Sequence, residues 1–213
     1  MKNKVLIVSA AAVLLVLGFF LGRGQYKSSE SARVSDVLTT SGSTLVRDYS
    51  PVLGEPNAKV TLVEFLDPEC ESCRLVYPHV KSLLKEFHGK LRLVVRYAPF
   101  HGNSRFAIKI LEGARRQDKY WQALDVLFNY QPQWGSHHDP NPERIWGYLP
   151  DEGIDVERVR KEFTDPAIEK MIEQEIADGQ ELGVRQTPTF FVNGKKLEEL
   201  NLEGLRAAIE KEL

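Results

Sequence analysis

The chain holds two cysteines in 213 residues, and they stand together as Cys70-Glu71-Ser72-Cys73. They follow directly on the apolar run Val60-Thr61-Leu62-Val63-Glu64-Phe65-Leu66. Two thiols at this spacing, where a strand turns into a helix, can close into a small disulfide and reopen without unfolding the chain, which is the chemistry of dithiol exchange. A structural role explains the pair poorly, because a disulfide this short closes almost no loop and so removes little entropy from the unfolded chain. Half of a zinc site is the other reading of Cys-x-x-Cys. Zinc asks for four ligands, whereas no further cysteine and no His-x3-5-His is present, and His79, His88 and His101 are scattered.

The elements that must position the pair can be traced outward from it. Val60–Leu66 has the length and β-branched content of a buried strand. Beyond Cys70 the residues Val76, Val80, Leu83, Leu84 and Phe87 recur at helical spacing, which puts Cys70 at a helix N-terminus, with Pro78 expected to kink that helix. The run 91–97 alternates as a second strand, and a β-α-β crossover of this kind favours parallel strands. From about residue 104 to 183 only helical patterns occur, around Phe106, Trp121, Ile145, Val156 and Ile168. Strand character returns at residues 187–192, turns at Asn193-Gly194 in a hairpin signal, and is followed by a last helix over 205–213.

A net charge of −2 and an apolar fraction of 42% describe an ordinary globular chain and imply no nucleic-acid partner. The exception is the N-terminus, where Lys2 and Lys4 precede an uncharged run from Val5 to Gly22. At about 1.5 Å per helical residue this run nearly matches a hydrocarbon core of about 30 Å. It exceeds the usual apolar region of a cleaved signal and lacks a clean small-x-small site after it. It is therefore read as a retained transmembrane signal-anchor over residues 1–23, with Ala10, Ala11 and Ala12 keeping a cleaved signal open. The positive charges at its start point to a cytoplasmic N-terminus and an exported body. Residues 24–49, rich in Ser, Thr, Gly and charge, read as a polar tether with room for a short helix near Ser35–Leu38. Residues 50–213 form the domain. Outside the cytoplasm disulfides are permitted, and this chain uses none as a staple, which leaves the lone pair for exchange.

Taken together, strand, Cys-x-x-Cys at the head of a helix, strand, and much later Thr187-Pro188 before a hairpin and a last helix resemble the thioredoxin superfamily. The long helical insertion resembles its DsbA-like branch. Ser50-Pro51-Val52-Leu53-Gly54-Glu55-Pro56, Val63-Glu64-Phe65 and Gln186-Thr187-Pro188-Thr189-Phe190-Phe191-Val192-Asn193-Gly194 are similar to stretches typical of that branch. The resemblance implies an α/β thioredoxin fold with a helical insertion at about 104–183, and a thiol–disulfide oxidoreductase needing no cofactor. It would act on exported protein thiols or disulfides as oxidant, reductase or isomerase, be reset by a redox partner, and work on the periplasmic side of the inner membrane. It assigns Cys70 as the attacking sulfur, favoured as a thiolate by the helix N-terminus, and Cys73 as its resolving partner. Glu64 is expected on the buried strand beneath the cysteines, with a raised pKa that lets it exchange a proton with Cys73. Pro188 matches the family's cis-proline, next to which the Thr187 backbone would pair with an incoming peptide.

The chain departs from the branch where close relatives carry proline after the first cysteine, because here Glu69 and Glu71 flank Cys70 and Ser72 follows. Acidic neighbours oppose a thiolate, so these positions are expected to tune the pair toward a weaker oxidant. Two other readings remain at this point: a protein holding a soft ion such as Cu(I) between the thiolates, and a redox-inert module that binds unfolded peptides. His137-His138, between Gly135 and Pro140, read as solvated loop residues rather than a metal site.

Overall fold

The computed structural model describes residues 44–135 and 138–213. The candidate anchor Val5–Gly22, the short helix near Ser35, most of the tether and His137 lie outside the described residues. Among the described residues no helix is long and apolar enough to cross a membrane.

A five-stranded sheet carries the fold, in the order β1-β3-β2-β4-β5. Its strands are β1 (Val52–Leu53), β2 (Val60–Leu66), β3 (Leu91–Tyr97), β4 (Thr189–Val192) and β5 (Lys195–Lys196). All seven residues of β2 are buried, as a central strand covered on both faces requires. β2 and β3 pair in parallel, Val60 opposite Leu91 through Leu66 opposite Tyr97, and β4 pairs antiparallel to β2 with Glu64 opposite Phe190. At the turn between β4 and β5 both Asn193 and Gly194 take positive φ, 45° and 81°, the geometry a two-residue hairpin of twisted strands prefers. Gly54, with φ 110°, has a different reason to be glycine: a Cβ there would stand 2.8 Å from the Leu91 carbonyl oxygen.

Helix α1 (Glu71–Glu86) connects β2 to β3 and buries Cys73, Val76, Tyr77, Val80 and Leu83 on one stripe. It runs on through Pro78, which has no N–H to return to the preceding turn. Between β3 and β4 lie α2 (Ser104–Arg115), α3 (Tyr120–Asn129), the single turn α4 (Gln131–Trp134), α5 (Ile145–Tyr148), α6 (Val156–Glu162) and α7 (Pro166–Glu181). This is the helical insertion, and its apolar residues join those of α1 and one sheet face in the larger core. A last helix, α8 (Leu202–Glu212), begins three residues before the expected start because the Asn201 side chain accepts a hydrogen bond from the Gly204 N–H and caps it.

The other sheet face is covered by a smaller apolar cluster of Leu45, Val63, Phe65, Val94, Ala98, Val184 and Phe191. Beside it Arg96 is fully buried, its guanidinium bonded to Glu175 at 2.9 Å and to Asp178 at 2.5 Å. Asp178 also takes a two-pronged contact from Arg47 at 2.7 and 2.5 Å. These contacts correct the expectation that the tether runs to residue 49. Leu45 is buried and Arg47 is paired, so the packed chain begins at least five residues before Ser50.

Candidate active site

The segment Asp67-Pro68-Glu69-Cys70 turns β2 into α1, and bonds from three elements fix it. Inside the segment, the Cys70 N–H donates to the Asp67 carbonyl at 3.0 Å. The buried Asp67 carboxylate accepts from the Glu69 N–H at 2.9 Å, from the Phe100 N–H at 2.8 Å and from the Ser104 hydroxyl at 2.8 Å. Glu69 is buried too and bonds the Asn103 backbone N–H at 2.6 Å and its side-chain amide at 2.7 Å. From the insertion, buried Gln131 donates to the Pro68 carbonyl at 2.8 Å and the Cys70 carbonyl at 3.0 Å, while accepting from Arg74 at 3.0 Å. With its carbonyls and amides bonded this way, the loop holds the cysteines where the helix begins.

Cys70 is the N-cap residue of α1, with extended backbone, and both cysteines are free thiols in this structure. Its pKa is lowered to about 5. The Cys73 thiol supplies the largest pull, burial opposes it, and the Thr187 side chain and the N–H groups of Cys73 and Ser72 add to it. Cys73, with no exposed surface, is pushed the other way, by burial first and then by giving its hydrogen bond to Cys70. The two sulfurs are thus unlike, one a thiolate at neutral pH and the other a thiol. Hydrogen bonds dominate the acidity of Cys70. Glu69 is turned toward Asn103 and Glu71 lies exposed, so the repulsion expected from them does not govern the outcome.

The Thr187–Pro188 peptide bond is cis, and the Thr187 carbonyl oxygen lies 3.3 Å from the Cys70 sulfur. Pro188 is buried and Thr187 half-buried. Glu64 is 1% exposed, its Oε2 has no hydrogen-bond partner, and its pKa is raised to about 8, by burial first and then by the negative charge at Cys70. Its charge in turn raises Cys73, which places it within electrostatic reach of that sulfur. Ser72 is exposed and reaches Cys70 through its backbone N–H rather than its hydroxyl.

Asp67, His101, Asn103 and Gln131 also build the site, and the sequence reading does not single them out as its members. Only Asp67, one residue past the strand, sits close enough in sequence to have drawn notice. The others come from 31 to 61 residues beyond Cys70 and meet it only through the tertiary fold. Among the described residues no group of three or more His, Cys, Asp or Glu is arranged to hold a metal ion.

This arrangement matches known proteins over most of its length. The family model described as Thioredoxin covers residues 47–211. The chain belongs to the thioredoxin family. Among solved thioredoxin-like structures, an oxidoreductase from Silicibacter pomeroyi DSS-3 is similar with a TM-score of 0.69 at 29% identity, over 81% of this chain and 97% of that one. BdbD from Bacillus subtilis is similar with a TM-score of 0.68 at 26% identity, over 76% and 92%. Disulfide bond formation protein D of Bacillus subtilis (strain 168) is 28% identical over 181 residues, 76% of this chain and 77% of that protein. The Na(+)/H(+) antiporter NhaA of Herminiimonas arsenicoxydans is 34% identical over 146 residues, 68% of this chain, and this thioredoxin-family chain spans about a fifth, 22%, of that protein's length.

Proposed function

We propose that the chain is a thiol–disulfide oxidoreductase acting on exported proteins through Cys70 and Cys73. The observation that carries this reading is the inequality of the two sulfurs: Cys70 at a helix N-terminus with its pKa lowered to about 5, Cys73 buried behind it with its pKa raised. A stabilised Cys70 thiolate stabilises the reduced form, which makes the disulfide an oxidant. The similarity to disulfide bond formation protein D supports the same direction.

In the oxidising cycle a client thiolate attacks the Cys70 sulfur of the Cys70–Cys73 disulfide. A client–Cys70 bond forms, the Cys70–Cys73 bond breaks, and Cys73 leaves as a thiolate in a buried site that disfavours its charge. Glu64, protonated at neutral pH with a pKa of about 8, is the group that hands Cys73 a proton. A second client thiolate then attacks the client's own sulfur in the mixed disulfide and releases Cys70 as its stabilised thiolate. The client has lost two electrons and the pair has gained them, so a redox partner must take them away to restore the disulfide. The client backbone lies along Thr187 beside Pro188, where a carbonyl already faces Cys70. The run Val5–Gly22 holds the domain at the membrane on the extracytoplasmic side.

Trapping tests the reading. Cys73→Ser keeps the attacking sulfur and loses the resolving one, so when mixed with disulfide-bonded proteins its Cys70 thiolate should attack a protein disulfide, release one protein thiolate and stay in the mixed disulfide, whereas Cys70→Ser should form none. Adducts on Cys70→Ser alone would reverse the assignment, and adducts on neither would remove the exchange function.

A further inference from the structure

His101 lies in the loop between β3 and α2 and is brought to the cysteines by two separate ties. The first is Asp67. Its backbone carbonyl accepts from the Cys70 N–H at 3.0 Å, its own N–H lies 3.5 Å from the Cys73 sulfur, and its carboxylate meets Nδ1 of His101 at 2.8 Å and the His101 N–H at 3.2 Å. One buried residue therefore touches both halves of the redox motif and the imidazole at once. The second tie is the pair of bonds from Glu69 to Asn103, two residues beyond His101, which fastens the same loop alongside the motif. Asp67 is fully buried with several donors aimed at its side-chain oxygens, while the imidazole keeps 31% of its side chain exposed. An anionic partner on one nitrogen fixes the ring and favours its second proton.

We infer that the imidazolium of His101, oriented by Asp67, is the counter-charge of the Cys70 thiolate and assists its departure from the client. The inference rests on the exchange reading above but concerns a residue outside the Cys-x-x-Cys motif. Asp67 is here a positioning residue, and His101 acts on the reacting sulfur through its charge. Three charges that raise the imidazole pKa, those of Asp67, Cys70 and Glu69, come from the segment between β2 and α1. Burial works against protonation of His101, yet the hydrogen bond to Asp67 and the negative charges of Asp67, Cys70 and Glu69 outweigh it and leave the pKa raised. The coupling is reciprocal, because a thiolate that raises the imidazole pKa is itself favoured by the imidazolium. When the second client thiolate expels Cys70, the electron pair goes to the Cys70 sulfur, and the adjacent positive charge stabilises it there. No proton need leave His101 in that step.

The test reads both sides of this coupling. The alkylation rate of reduced Cys70 by iodoacetamide would be followed against pH in the full chain, in His101→Asn and in His101→Lys. His101→Asn keeps a donor for Asp67 and removes the charge, so the Cys70 pKa should rise, with an alkylation rate about tenfold lower per pKa unit below that pKa. His101→Lys should recover part of the loss. The second measurement needs no change at His101: its ring pKa by NMR in the reduced wild type against Cys70→Ala, where removal of the thiolate should lower it. An unchanged Cys70 profile in His101→Asn together with an unchanged ring pKa in Cys70→Ala would overturn the inference and leave the Asp67–His101 bond a structural one. Failure of the Cys73→Ser trap would instead remove the exchange function while this coupling could still be read.

Discussion

Glu64 offers a prediction whose size follows from its burial. The group has an ordinary pKa of 4.5 and a value of about 8 in the folded chain, because a carboxylate with 1% exposure and an unpartnered oxygen is poorly solvated. The folded state therefore keeps a proton that the unfolded state gives up, and the carboxyl lowers stability progressively as pH rises from about 4.5, levelling off above about 8. At about 1.4 kcal/mol per pKa unit, the loss is below about 1 kcal/mol at pH 5 and about 3 kcal/mol at pH 7. Glu64→Gln has no such titration. Cys70 contributes a slope of the opposite sign in reduced protein, since its lowered pKa adds stability as pH rises past about 5, but both proteins share it and it cancels in the difference. Urea unfolding of reduced wild type and Glu64→Gln at pH 5, 6, 7 and 8 would measure that difference. The variant should gain on the wild type by about 2 kcal/mol between pH 5 and 7. Parallel stability curves would mean that Glu64 is solvated or bonded in the folded chain, and would remove both the raised pKa and its proposed proton transfer to Cys73.

Three further outcomes follow from particular contacts. Arg96→Leu leaves Glu175 and Asp178 without their buried cation and should cost about 3–5 kcal/mol by urea unfolding; a loss under about 1 kcal/mol would show that these carboxyls are not ionised there. Gln131→Leu keeps the bulk but takes the side-chain donor from the Pro68 carbonyl and leaves the Cys70 carbonyl only the Arg74 N–H, so it should destabilise the fold by about 1–3 kcal/mol. It should also change the midpoint of the Cys70–Cys73 couple in glutathione buffers, an effect that a role confined to folding would not produce. Gly113→Ala puts a Cβ 2.9 Å from a Val159 methyl where α2 meets α6 and should lower stability by about 1–3 kcal/mol while leaving the cysteine chemistry unchanged.

The strands that frame the site were legible because local rules and burial agree in them. β2 and β3 fall where the apolar, β-branched runs predict, and the hairpin falls at Asn193-Gly194. The cysteines, Glu64 and Thr187-Pro188 stand out by type and spacing. The groups that hold the loop do not, since Asn103 reaches Glu69 across 34 residues and Gln131 reaches Cys70 across 61. A glutamine inside an insertion looks like any polar helix residue until its two carbonyl partners are known. Arg96 illustrates the same point on the other face: in an alternating strand it reads as outward and solvated, yet Glu175 and Asp178 on α7 let it be buried. The surroundings of Cys70 are hard to read from sequence for a related reason. Glu69 and Glu71 are adjacent in sequence, but the direction of a side chain decides its field, and Glu69 is committed to Asn103.

The central claim is that Cys70 and Cys73 form one reversible two-electron couple. Equilibrating the full chain across a series of glutathione redox buffers, quenching with acid and counting alkylated cysteines by mass tests it most directly. The account predicts a single transition between two free thiols and none, with the oxidised species carrying an internal Cys70–Cys73 disulfide and no glutathione. A pair that stays reduced throughout, or that ends as a stable glutathione adduct on Cys70, would contradict it.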